Sequence, residues 1–79
     1  MKLSELKKGD RAIITKIGTD TLLKSRLVSF GVARGSELSI EACSIRKQTL
    51  EILVDGTLIG LRRIEASEIE VDKLEEDGL

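Results

Sequence analysis

Apolar and polar residues alternate along much of this chain, and the runs in which they do so mark its strands. Arg11–Ile17 concentrates Ile13, Ile14, Thr15 and Ile17, residue types that favour a pleated backbone. Leu38, Ile40 and Ala42 alternate with Ser39 and Glu41, the period of a half-buried strand. Leu50, Ile52 and Val54 alternate with Glu51 and Leu53, Thr57–Leu61 returns beside them, and Ile69 and Val71 open a last strand. Between the third and fourth runs stands Asp55-Gly56, which predicts a tight two-residue hairpin. Its turn needs positive φ, which Asp tolerates and Gly prefers.

The helical signals are fewer. Leu3 and Leu6, three apart, predict one short helical turn folded onto a core, with Ser4 as its cap. Leu22, Leu23, Arg26, Leu27 and Phe30 recur at spacings of three and four, so Thr21–Phe30 reads as a helix, capped by Asp20 and stopped by Gly31. Arg62–Ser67 reads as a short helical turn with Ala66 facing inward, and 43–48 as a polar connection.

About five short strands, with turns at regular spacing and one helix after the first strand, predict a mainly β domain with short helices. A sheet this small leaves exposed edges unless it curls, so the expected architecture is a small, partly open SH3-like β-barrel. The domain is expected to span 1–74, with 75–79 as an acidic, frayed tail.

Composition then narrows the function. The 79 residues contain no His, Trp, Tyr, Pro or Asn, one aromatic (Phe30) and one cysteine (Cys43). Without His there is no Ser-His-Asp or Cys-His machinery, and one thiol makes neither an internal disulfide nor a thiolate zinc site. A single aromatic offers no stacking platform for single-stranded nucleic acid. An enzyme, a cofactor or a metal site is therefore not expected. Cys43 reads as a buried or half-buried structural thiol, because no flanking cations argue for a lowered pKa. The glycine turns at Gly9, Gly35 and Gly56 are too dispersed for a phosphate loop.

The near-neutral total of −1 hides a polarity. Residues 1–64 carry 12 basic and 7 acidic groups, whereas 65–79 carry Lys73 against seven carboxylates. Arg62-Arg63, with Lys24, Arg26, Arg34 and Lys47, are candidates for a basic patch, unless they pair with Glu65 and Glu68. The helix has more apolar surface than one face needs, so part of Leu27 or its neighbours is a candidate docking patch. Met1–Arg11 alternates charge with single leucines, so no signal peptide is expected, and a free thiol suits a reducing compartment.

The order of these features is more specific than any one of them. Leu3-Ser4-Glu5-Leu6-Lys7-Lys8-Gly9-Asp10-Arg11-Ala12 resembles the "LxxLxxGDxA" opening of the FeoA family, ferrous iron transport protein A. Arg26-Leu27-Val28-Ser29-Phe30-Gly31-Val32-Ala33-Arg34-Gly35-Ser36 is similar to its "RLxxLGxxxGxxV", and Ile59–Val71 to its "IALRxxxAxxIxV". Lys8 and Arg34 stand where the family often has proline, Phe30 where Leu is usual, and Arg46-Lys47-Gln48-Thr49 replaces a Gly-Asp-Pro-like connection. The resemblance implies an SH3-like barrel and a cytoplasmic accessory or regulatory protein of bacterial ferrous iron uptake. It implies a FeoB-type permease with a GTP-binding domain as partner, which would recruit this chain to the inner face of the membrane. Arg26, Leu27, Phe30, Arg62 and Arg63 are then the candidate partner-binding residues, and a homo-oligomer is compatible with this reading. The alternative is an SH3-like regulatory domain related to those of metal-dependent repressors, or a nucleic-acid-binding barrel with salt-sensitive affinity.

Overall fold

In the computed structural model, which describes residues 1–44, 46 and 48–75, all five expected strands are present. They are β1 (Arg11–Ile17), β2 (Glu37–Cys43), β3 (Thr49–Val54), β4 (Thr57–Arg62) and β5 (Ile69–Leu74). Helix α1 (Thr21–Ser29) joins β1 to β2, and the single turn α2 (Arg63–Ala66) joins β4 to β5. The strands form one antiparallel sheet in the order β4-β3-β2-β1-β5. Its register shifts between Ile14 and Lys16 and between Ile40 and Ala42, and such bulges tighten the twist that curls a small sheet around its own core. The sheet curls without closing, for no pairing joins β4 to β5 among the described residues.

The alternation read from the sequence sorts inside from outside. Ala12, Ile14, Leu38, Ile40, Leu50, Ile52, Ile59 and Leu61 are buried, as are Leu3 and Leu6 from the N-terminal 3-10 turn Leu3–Glu5. Ser4 lies within that turn rather than capping it. The cap falls at Lys2, whose backbone N–H donates to the Glu5 carboxylate at 2.7 Å. The hairpin forms as expected, with Asp55 at φ 50 and Gly56 at φ 80.

The two sheet edges differ. β5 is covered at Val71, whose N–H donates to the Met1 carbonyl at 2.8 Å and whose carbonyl accepts from the Met1 amine at 3.2 Å. Lys2 and Glu70 bridge beside it. On β4 the outer side of the strand is open over most of its length.

A candidate partner-binding face

Asp20 starts α1 by accepting the Leu22 and Leu23 N–H groups on Oδ1 at 3.0 and 3.2 Å. Gly31, at φ 80, ends it, and Val32 N–H returns to the Leu27 carbonyl at 2.9 Å. A helical step of about 100° cannot turn all the apolar residues of this segment inward. Leu23 and Leu27 fill the core. Leu22 remains 82% exposed, Val28 60% and Phe30 46%.

This corrects one expectation. Leu27 is completely buried, so its side chain cannot meet a partner, and the outward apolar surface belongs to its neighbours. Those neighbours lie on two flanks. Leu22, Arg26 and Phe30, four apart, follow one flank toward α2. Lys24 and Val28 follow the other and, with Lys16, Ile17, Ala33 and Arg34, line a shallow depression of about 270 Å³. The expected basic patch is therefore divided, with Lys24 and Arg34 apart from Arg26 and Arg62. Lys47 lies outside the described residues.

What gathers Arg26 and Arg62 is Glu65. Its side chain, only 10% exposed, accepts the Arg62 backbone N–H at 2.8 Å and Arg26 Nη2 at 3.1 Å, both on Oε1. Arg26 Nη1 lies 3.0 Å from Oε2 and Arg62 Nε 3.7 Å from Oε1. Burial pushes the Glu65 carboxyl pKa up. The Arg62 N–H, the Arg26 hydrogen bond and the charges of both guanidinium groups outweigh it and hold the pKa below its ordinary value. Arg63 is exposed and not part of this cluster, and its backbone N–H donates to the Gln48 carbonyl at 2.7 Å.

The face that results is a ridge of Leu22 and Phe30 beside a cluster in which two cations share one carboxylate. A shallow cleft of about 500 Å³ adjoins it, with Gly60, Glu51 and Leu61 among its walls. Ile64 on α2 is a further exposed apolar side chain, at 69%. Arg26, Phe30, Arg62 and Arg63 were legible as exposed candidates; Leu22 and Ile64 were missed. The adjacent pair Leu22-Leu23 carries the missed signal: Leu23 and Leu27, four apart, set the buried stripe, and the step of about 100° from Leu23 takes Leu22 off it. Cys43 is a free, half-buried thiol at the end of β2. Among the described residues no three His, Cys, Asp or Glu side chains gather as a metal site.

Known proteins resolve what this geometry leaves general. A family model described as the FeoA domain matches residues 1–73. The chain belongs to the FeoA family. It is 38% identical over 72 residues to the "Putative Fe(2+) transport protein A" of Campylobacter jejuni, covering 91% of this chain and 97% of that one. It is also 28% identical over 72 residues to a Porphyromonas gingivalis Fe(2+) transport protein A/Fe(2+) transporter FeoB fusion protein, covering 91% of this chain and 8% of the fusion. The solution structure of FeoA from Chlorobium tepidum superposes with a TM-score of 0.89 at 37% identity, over 99% of this chain and 75% of that one. A zinc complex of FeoA from Stenotrophomonas maltophilia, described as a procaryotic SH3 domain protein, gives 0.78 at 28% identity, over 91% of this chain and 89% of that one. This FeoA chain is thus SH3-like in fold. A manganese-dependent transcriptional repressor shares that fold, with a TM-score of 0.85 at 22% identity, over 92% of this chain and 40% of the repressor.

Proposed function

We propose that this chain is a non-enzymatic accessory protein of bacterial ferrous iron uptake that acts in the cytoplasm by docking on a FeoB-type transporter. The observation that carries the reading is the Porphyromonas gingivalis fusion, in which a relative of this domain and FeoB share one polypeptide. Fusion makes an encounter intramolecular, and it suits partners that work in contact. The composition supports a docking role, because a chain without His and with one Cys holds few groups for catalysis.

The contact surface in this reading is the ridge of Leu22 and Phe30 with Arg26, Arg62, Arg63 and Ile64. Exposed aromatic and Arg side chains are the types that anchor protein interfaces. No helix among the described residues is long and apolar enough to cross a membrane, so in this reading the partner supplies membrane association. The test is titration of the cytoplasmic domain of the FeoB-type transporter from the same genome with this chain, by calorimetry. Phe30→Glu and Arg62→Glu serve as surface variants. Binding by wild type, weakened about tenfold or more by either variant, is the expected result. No binding by wild type overturns the function, and unchanged binding by both variants overturns the face.

A further inference from the structure

The hairpin fixes which backbone groups of β4 face outward. Asp55 and Gly56 both take positive φ, so Val54 and Thr57 flank a two-residue turn as a hydrogen-bonded pair. In an antiparallel ladder hydrogen-bonded and non-hydrogen-bonded pairs alternate. Ile52↔Ile59 and Leu50↔Leu61 therefore exchange bonds within the sheet, while Leu53↔Leu58, Glu51↔Gly60 and Thr49↔Arg62 do not. The N–H and C=O groups of Leu58, Gly60 and Arg62 point away from β3. That of Arg62 is already used, its N–H donating to Glu65. Leu58 and Gly60 have no such partner among the described residues.

Natural sheets blunt open edges with charge, proline or a covering segment. β5 has both charge and cover: Glu70, Asp72 and Lys73 lie along it, and Met1 and Lys2 close it. β4 reads Thr57-Leu58-Ile59-Gly60-Leu61, without a charge until Arg62. Its exposed apolar side chain is Leu58, 55% accessible, and two residues on is Gly60, where an added Cβ would meet nothing within 4 Å. A bulky apolar residue and a bare backbone notch stand side by side on one edge.

We infer that the β4 edge is a self-association surface on which a second copy of this chain adds antiparallel, joining two five-stranded sheets about a two-fold axis at Ile59. A second copy matches the edge in its own register. With Ile59 opposite Ile59 of the second copy, Leu58 falls opposite Gly60, and the outward groups of those two residues become mutual donors and acceptors. Leu58 of each copy then covers the notch at Gly60 of the other. Arg62 of each copy comes beside the turn at Asp55-Gly56 of the other, opposite charge meeting opposite charge at both ends. The Glu65 carboxylate on Arg62 limits the shared ladder to the stretch around Leu58–Gly60, so the dimer is weak and concentration-dependent.

Sedimentation equilibrium from about 20 μM to about 1 mM tests this, together with amide hydrogen exchange by NMR at both ends of the range. The expected result is a mass rising from 8.7 kDa toward twice that value. In parallel the Leu58 and Gly60 amides gain protection, whereas Ile59, already bonded to β3, stays protected at every concentration. Leu58→Lys places a cation on the edge at an exposed position, and it weakens the dimer by about tenfold or more. Its unchanged amide spectrum away from β4 shows that the fold is kept. A mass of one chain throughout overturns the inference. So does a dimer that Leu58→Lys leaves intact, or one that forms without new protection at Leu58 and Gly60.

Discussion

Glu65→Gln separates the charge of the carboxylate from its shape. The amide keeps the size of the side chain and can still accept the Arg62 N–H, so what is removed is the charge facing Arg26 and Arg62. A hydrogen bond to a charged group contributes about 1.5–3 kcal/mol. Arg26 is 42% exposed and Arg62 73%, so water screens much of that attraction. The expected loss at neutral pH is about 1–2 kcal/mol, which for a domain of this size lowers Tm by roughly 5–15 °C. The sign of the pH dependence follows from the depressed Glu65 pKa. A carboxyl whose folded pKa lies below the unfolded one stabilises the fold fully above the ordinary value of 4.5, and it loses that contribution as pH falls through the folded pKa. Urea unfolding of wild type and Glu65→Gln at pH 7, 4 and about 2.5 measures this. The gap between them is largest at pH 7 and closes at the acid end. Equal stabilities at pH 7, or a gap that persists undiminished in acid, would refute the assignment of Glu65 as the charged tie between α1 and α2.

The remaining expectations concern the core, a close approach and a cap. Leu27→Ala removes a fully buried side chain and costs about 2–5 kcal/mol, whereas Leu22→Ala, on the same helix but 82% exposed, changes stability by less than about 0.5 kcal/mol in the same urea assay. Gly18→Ala brings a Cβ to 2.9 Å from the Glu68 carbonyl, the group that accepts the Gly18 N–H at 2.7 Å. One of the two must move, and thermal unfolding should show a loss of about 1–3 kcal/mol. Asp20→Ala leaves the Leu22 and Leu23 N–H groups without their acceptor, a loss of about 1 kcal/mol that circular dichroism can follow on heating.

Strands and turns were readable because each has a local cause. Alternation at Leu38–Ala42 and Leu50–Val54 marks a face, Asp55-Gly56 demands a particular turn, and the helix is bracketed by the Asp20 carboxylate and by Gly31, whose missing Cβ permits positive φ. The site was readable in part. Arg26 and Arg62 were visible as cations, but they are 36 positions apart and meet only because the fold brings Glu65 of α2 within reach of both guanidinium groups. Glu65 was legible only as a neighbour that could neutralise them. Its burial depends on that same tertiary placement, which periodicity does not encode. Leu27 was misassigned because a helix with apolar residues all round does not declare which of them the sheet will cover; Leu23 and Leu27 won that place and Leu22 and Val28 did not. The openness of the β4 edge is likewise a property of strand order, invisible until β3, β2, β1 and β5 are ranked beside it.

Helix α1 is fastened to the rest of the domain through a short list of groups: the buried Leu23 and Leu27 and the Arg26 guanidinium on Glu65. The sheet, by contrast, is laced together by backbone ladders along every strand. Such a helix belongs to the low end of the local-opening scale, so its amides exchange through partial detachment while the sheet stays whole. Because the outward ridge and the inward plug are two sides of one helix, a partner that grips Phe30 also holds Leu27 in place. Binding there would slow the exchange of the α1 amides and leave those of the sheet as they were.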